Sequence, residues 1–228
     1  MTKTICKVGY FSSILTAIAT IITFGIALTA IPISGAFCQK NCIKYPYLNT
    51  LGQFPHDFIW MYSAILLSMI FIVYMTSIHY YADKERKIIS NIGLLFALMS
   101  SLILIVNYFI QATVISASLA HGEPQGIPLL IQYNPHGIFI ALEEIGFILM
   151  SFSFLFMSYV FINNNRIEMF VRWIFRIDFI VVVIAFITMS IWFGFNLKDR
   201  FEVVVISLNW LVLISNGILV SRVFKGKV

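Results

Sequence analysis

Six stretches of this chain, residues 8–39, 58–82, 88–122, 137–165, 179–197 and 203–221, contain no Asp, Glu, Lys or Arg except for Glu143 and Glu144 in the fourth. A helix crosses the hydrocarbon core of a bilayer in about 20 residues. Inside lipid every backbone N–H and C=O must be bonded internally, which leaves only helices and closed barrels, and stretches of this length read as helices. The expected fold is therefore all-α, a polytopic transmembrane bundle of six spans. Trimming the polar ends places the helices near 9–33, 57–81, 88–118, 136–162, 173–195 and 202–223. Composition agrees: 60% of the 228 residues are hydrophobic and 11% charged, against about 45–50% and about 25% in soluble domains. The connections are too short for a soluble domain, so residues 1–228 read as one integral membrane domain. Any activity must sit in the bundle or its loops.

The placement of the basic residues sets an orientation. Lys3, Lys7, Lys84, Arg86, Lys87, Arg166, Arg172, Arg176, Arg222, Lys225 and Lys227 fall on one side, and only Lys40, Lys44, Lys198 and Arg200 on the other. By the positive-inside rule both termini are expected in the cytoplasm, with the chain in the cell membrane. The net charge of +5 belongs to these flanks. No basic run is interleaved with exposed aromatics, so nucleic acid is not an expected partner.

Pro32, Pro46, Pro55, Pro124, Pro128 and Pro135 all fall at or beyond the expected outer ends. Proline fixes φ and removes a donor, so loops 34–56 and 119–135 should be shaped caps. The absence of a proline-broken span weakens the comparison with transporters that bind substrate at unwound midplane helices. Lys3, Lys7, the first apolar stretch and Ser34-Gly35-Ala36 imitate a secretory signal. That stretch exceeds a usual apolar region of about 7–15 residues, and the first helix is expected to be retained. Cys38 and Cys42 share the first outer loop, while Cys6 lies on the inner side. The loop pair is either a disulfide, as an oxidising compartment allows, or two thiols. His56 and Asp57 share that loop, but no second cysteine pair supports a metal site, and no metal is expected.

Ionisable groups within spans are costly and point to function. Glu143 and Glu144 lie about 10 Å below the outer boundary and about 100° apart around the helix. Glu144 belongs to a seam of small residues with Gly137, Ser151 and Ser158, and Glu143 to one with His136, Met150 and Met157. On the third helix Gly93, Ser100, Asn107, Gln111 and Ser118 form a polar line; on the sixth Glu202, Asn209 and Asn216 are spaced by seven, with Trp210 beside Asn209. The second helix begins at His56-Asp57 and continues its polar face through Ser63. Together they predict an outward-opening polar pocket among helices 2, 3, 4 and 6. The plainer alternative for Asn107, Gln111, Asn209 and Asn216 is interhelical bonding worth about 0.6 kcal/mol each. His79, beside Tyr80 and Tyr81, reads as structural, and Asp178 as part of an inner-surface ion pair with Arg172 and Arg176.

Gly-rich phosphate loops, His-Glu-x-x-His, Gly-x-Ser-x-Gly and Cys-x-x-Cys-His are absent, so no nucleotide, flavin or covalent haem cofactor is expected. The segment Asn134 to Tyr159, NPHGIFIALEEIGFILMSFSFLFMSY, resembles segments of uncharacterised small multi-spanning membrane proteins of prokaryotes. That resemblance implies a helical membrane fold and brings no activity. Three functional readings follow. The first is binding or transport of a small polar or cationic ligand with Glu143 or Glu144 as counter-charge or proton acceptor. The second is an intramembrane enzyme acting on a lipid or isoprenoid, with one glutamate as general acid and His136 or the other glutamate as partner. The third is a structural accessory subunit of a membrane complex or homo-oligomer. Membrane lipids are partners in all three.

Overall fold

The computed structural model describes residues 2–30, 32–163 and 165–226. Ile31, inside the expected first helix, and Lys227, counted among the basic tail residues, lie outside them, as does the side chain of Lys198. Six helices are long and apolar enough to cross a membrane: α1 (Lys3–Ala27), α2 (Ile59–Tyr81), α3 (Lys87–Ile110), α4 (Ile138–Ser158), α5 (Arg166–Phe193) and α6 (Lys198–Lys225). A π-helical turn, Gln111–Ile115, and a last helical segment, Ser116–His121, prolong α3. No strand occurs among the described residues.

The two helix starts that differ most from the sequence expectation are both explained by capping. At α1 the Thr2 hydroxyl accepts from Ile5 N, so the helix begins at Lys3; it ends at Ala27, short of the expected 33. At α5 the residues Asn165-x-x-Glu168 form a capping box. The Asn165 side-chain oxygen accepts from Glu168 N at 2.9 Å, and its amide donates back to Glu168 Oε1 at 3.1 Å. The helix therefore starts at Arg166 and not near 173. This puts Asp178 twelve residues from the start, about 18 Å along the axis, and not at a surface. The expected ion pair is absent: Arg172 donates to Phe161 O and Arg176 to Ser158 Oγ.

Helix α1 is built inside-out relative to a helix of a water-soluble bundle. On α1 the large apolar residues Phe11, Leu15, Ile18 and Ile22 face outward, while Ser13, Thr16, Thr20 and Thr23 are buried. Ser13, Thr16 and Thr20 satisfy their hydroxyls on carbonyls one turn back, a bond available to any helical Ser or Thr. Small buried residues with an apolar exterior suit packing in lipid.

Helices α1, α2, α3, α4 and α6 close a ring, each packed on the next, and α5 lies outside it, packed mainly on α4 and α6. Of the six, α4 is the most buried and α5 the least. Small residues bring neighbours close: Gly217 of α6 faces Ser13 and Ala17 of α1, and Gly146 of α4 faces Leu104 of α3. The start of α1 and the end of α6 lie at one end of the bundle, where Phe224 covers Gly9 and meets Tyr81. At that end Glu168 is buried and accepts from the Tyr81 hydroxyl at 2.8 Å and the Asn163 amide at 2.7 Å, tying α2 to α5. His79 pairs with Ser90 Oγ at 2.9 Å, linking α2 and α3.

The opposite end carries the cap. Its small core of Ile115, Ile127, Ile131 and Tyr133 is joined by Ile33, Ile43 and Tyr47 from the first loop. Cys38 and Cys42 are linked by a disulfide, with Cα atoms 5.9 Å apart. Ser34 Oγ donates to Tyr133 O, so the two proline-containing loops hold each other.

Candidate functional site

Under the cap lies a cavity of about 440 Å³ between α1, α2, α4 and α6. Asp57, Glu143, Asp199 and Glu202 all line it, and no described Lys, Arg or His side chain does. Its apolar wall comes from Phe24 of α1, Trp60 of α2, Phe139 of α4 and Trp210 of α6. Trp210 meets Phe24, Trp60 and Phe147 edge-on, which fixes the indole at the cavity floor.

The carboxylates differ in what they already hold. Asp57 accepts from the Tyr133 hydroxyl at 3.1 Å and lies 2.9 Å from His56 Nδ1. Asp199 accepts from Ala36 N, and Gly35 packs so closely that a Cβ there would meet Asp199 Oδ2 at 2.5 Å. Gly35 also has φ +70°, a conformation other residues resist. These bonds pin the first loop over the cavity. Glu143 is 1% exposed, and the groups in hydrogen-bonding reach of it are another acid, Glu202, and the Tyr108 hydroxyl. Neither supplies positive charge. A buried carboxyl therefore borders the cavity without a cationic partner among the described residues, a costly arrangement unless a charge is brought to it.

Tyr133 sits outside the spans. Its burial and the Asp57 carboxylate push its phenol above the usual range. A folded-state value above the unfolded value of about 10 gives stability that is full below about pH 10 and declines as pH rises further. Tyr133→Phe is expected to cost about 1 kcal/mol at neutral pH. Thermal unfolding between pH 8 and 11 should also show a shallower alkaline decline for the variant than for the native chain.

The sequence-derived residues separate into two groups. Glu143 and Asp57 line the cavity. Glu144 is half-buried on the adjacent face and within electrostatic reach of Glu202, but does not line it. His136 precedes α4 and is exposed, and the His56 side chain is 65% exposed. Asn107 donates to Phe139 O at 3.0 Å, and Gln111 bonds Leu130 O and Gln132 N. Asn209 donates to Ser151 Oγ at 3.1 Å and Val205 O at 2.9 Å. These three amides join helices and cap, so the polar line of α3 is consumed by α4 and the cap. The expected pocket among helices 2, 3, 4 and 6 is corrected accordingly: α1 replaces α3 as a wall.

Sequence reasoning missed Asp199, Tyr133 and Trp60 as cavity residues, and placed Glu202 on the polar stripe of the sixth helix without carrying it into the candidate site. Glu202 had a signal, lying seven residues before Asn209 on the same face. Asp199 and Tyr133 had none, because only the folding of the loops brings them there. No group of three or more His, Cys, Asp or Glu suited to hold a metal ion is present among the described residues. Comparison with protein-family models, curated proteins and solved structures found no match to this chain.

Proposed function

We propose that this is a cell-membrane protein with cytoplasmic termini that admits a small organic ammonium ion to the acidic cavity from the outer side, for binding or transport. The carrying observation is Glu143, buried in a cavity holding four carboxyl groups and no described basic side chain. Carboxyls at membrane depth normally pair or serve a pathway. A ligand supplying positive charge and N–H donors would satisfy Glu143 and Glu202 together. Its apolar part would rest on Trp60, Phe139 and Trp210, whose ring faces attract cations. The volume of about 440 Å³ lies within the range of about 300–1,000 Å³ usual for small-molecule sites. Acid–base chemistry on a lipid has less support, since neither expected proton partner of Glu143 lines the cavity: His136 is exposed, and Glu144 lies on the adjacent face.

Because carboxyl oxygens accept N–H donors, a primary ammonium should bind better than a quaternary one. Trp60 and Trp210 line the cavity and report occupancy by fluorescence. Titration of the nanodisc-embedded protein with phenethylammonium is expected to give a saturable change. Its N,N,N-trimethyl analogue should bind about tenfold or more weakly, the loss of one charge-assisted hydrogen bond. No saturable response to phenethylammonium at millimolar concentration would sink the reading.

A further inference from the structure

Asp178 lies deep in α5, about 18 Å from the helix start, on the one stripe that this helix buries: Glu168, Val171, Phe175, Asp178 and Val182. It is 3% exposed, and the Ser151 hydroxyl of α4 stands beside it. Ser151 Oγ accepts from Asn209 Nδ2 of α6 at 3.1 Å and lies 3.4 Å from Asn209 Oδ1, so its proton is shared between that long contact and Asp178. Among the described residues no cation neutralises the carboxyl. On α5 itself, Arg176 is turned to Ser158 Oγ and the Tyr159 ring. On α4, Glu144 lies seven residues toward the cap. On α6, the seam offers Asn209 and Asn216, with the Asn216 amide donating to Val171 O.

We infer that Asp178, with Ser151 and Asn209, is a proton-binding site in the middle of the bilayer, and that its proton is exchanged for the ammonium ion of the cavity. This rests on the cavity being an ammonium site. The binding part stands on the geometry of the α4–α5–α6 seam. An acidic oxygen pair with a hydroxyl donor, no cation and no second carboxylate accommodates a proton better than a larger ion. The exchange part stands on shared walls. Helix α4 carries both Glu143 and Ser151, and α6 both Glu202 and Asn209, eight and seven residues apart, or about 10–12 Å. A shift of either helix that opens one site alters the other.

The full chain in proteoliposomes allows two measurements. In acid-minus-alkaline infrared difference spectra, a carboxylic-acid C=O band is expected that is lost in Asp178→Asn and displaced in Ser151→Ala. Difference spectra that are the same in both variants as in the native chain overturn the site. With a pH-sensitive dye inside the vesicles, an imposed phenethylammonium gradient is expected to drive protons the opposite way. That movement should vanish in Asp178→Asn, while tryptophan titration with phenethylammonium stays within about twofold of native. An Asp178→Asn protein that still moves protons with the ammonium overturns the exchange. A native protein that shows the Asp178 band but binds no phenethylammonium refutes the cavity reading and leaves the proton site standing; ammonium binding without the band does the reverse.

Discussion

Gly217→Leu is expected to break the seam between α1 and α6. A Cβ at this position would meet Ser13 O at 2.8 Å, Ala17 Cβ at 3.0 Å and Ala17 N at 3.2 Å. Two of these atoms are backbone, so relief requires moving a whole helix and not a rotamer. Overpacking costs about 1–3 kcal/mol and occasionally more, and rigid neighbours place this case at about 3 kcal/mol. Gly25, on α1 and exposed, has nothing within 4 Å of a built Cβ. Gly25→Leu should therefore stay within about 0.5 kcal/mol of native. Reversible unfolding in mixed detergent, followed by tryptophan fluorescence, separates the two. Equal stability of both variants would show that α1 does not pack on Gly217 in the membrane.

The second large effect concerns ligand affinity. Glu143→Gln and Glu202→Gln keep the shape of the cavity but remove a charged acceptor each. Hydrogen bonds to charged groups are worth about 1.5–3 kcal/mol, so each change should weaken phenethylammonium binding about 10- to 100-fold. The two carboxyls adjoin and would share one cation. Their effects should therefore fall short of additive, as expected for residues in contact. Glu144→Gln, off the cavity wall, serves as the contrast, with a change of about threefold or less through its weaker electrostatic reach. Strictly additive losses at 143 and 202 would mean that the glutamates hold different ligands or different parts of one.

How far the sequence carried the structure depends on the range of the signal. Six charge-poor stretches marked six helices because the exclusion of charge from lipid acts on each segment alone. Glu143 could be singled out for the same reason: a carboxyl in mid-span is anomalous whatever surrounds it. The start of α5 was also written locally, in Asn165-x-x-Glu168, but its three arginines suggested a surface and concealed the capping box. That error moved Asp178 from depth to edge. The cavity was less legible because its wall is assembled from distant parts of the chain. Asp199 is held by the backbone of Ala36, and Asp57 by Tyr133, pairings that no periodicity foretells. Conversely, Asn107 and Gln111 looked like pocket residues by stripe alone. Stripe position gives the face of a helix and not the identity of what meets it, and here α4 and the cap backbone take both amides.

The hydroxyls of α1 bear on how the bundle can deform. Ser13, Thr16 and Thr20 close their bonds on their own helix, and the contact from Ser12 to Ser77 of α2 is long, at 3.4 Å. Such buried hydroxyls behave as a bearing: close in, yet able to slip along the helix without stranding their own donors. Phe24 and Ala27, one end of the same helix, are part of the cavity wall. Of the four helices enclosing the ligand space, α1 is thus the one whose axial travel would sacrifice the fewest polar contacts, and it is where a gate would meet the least resistance.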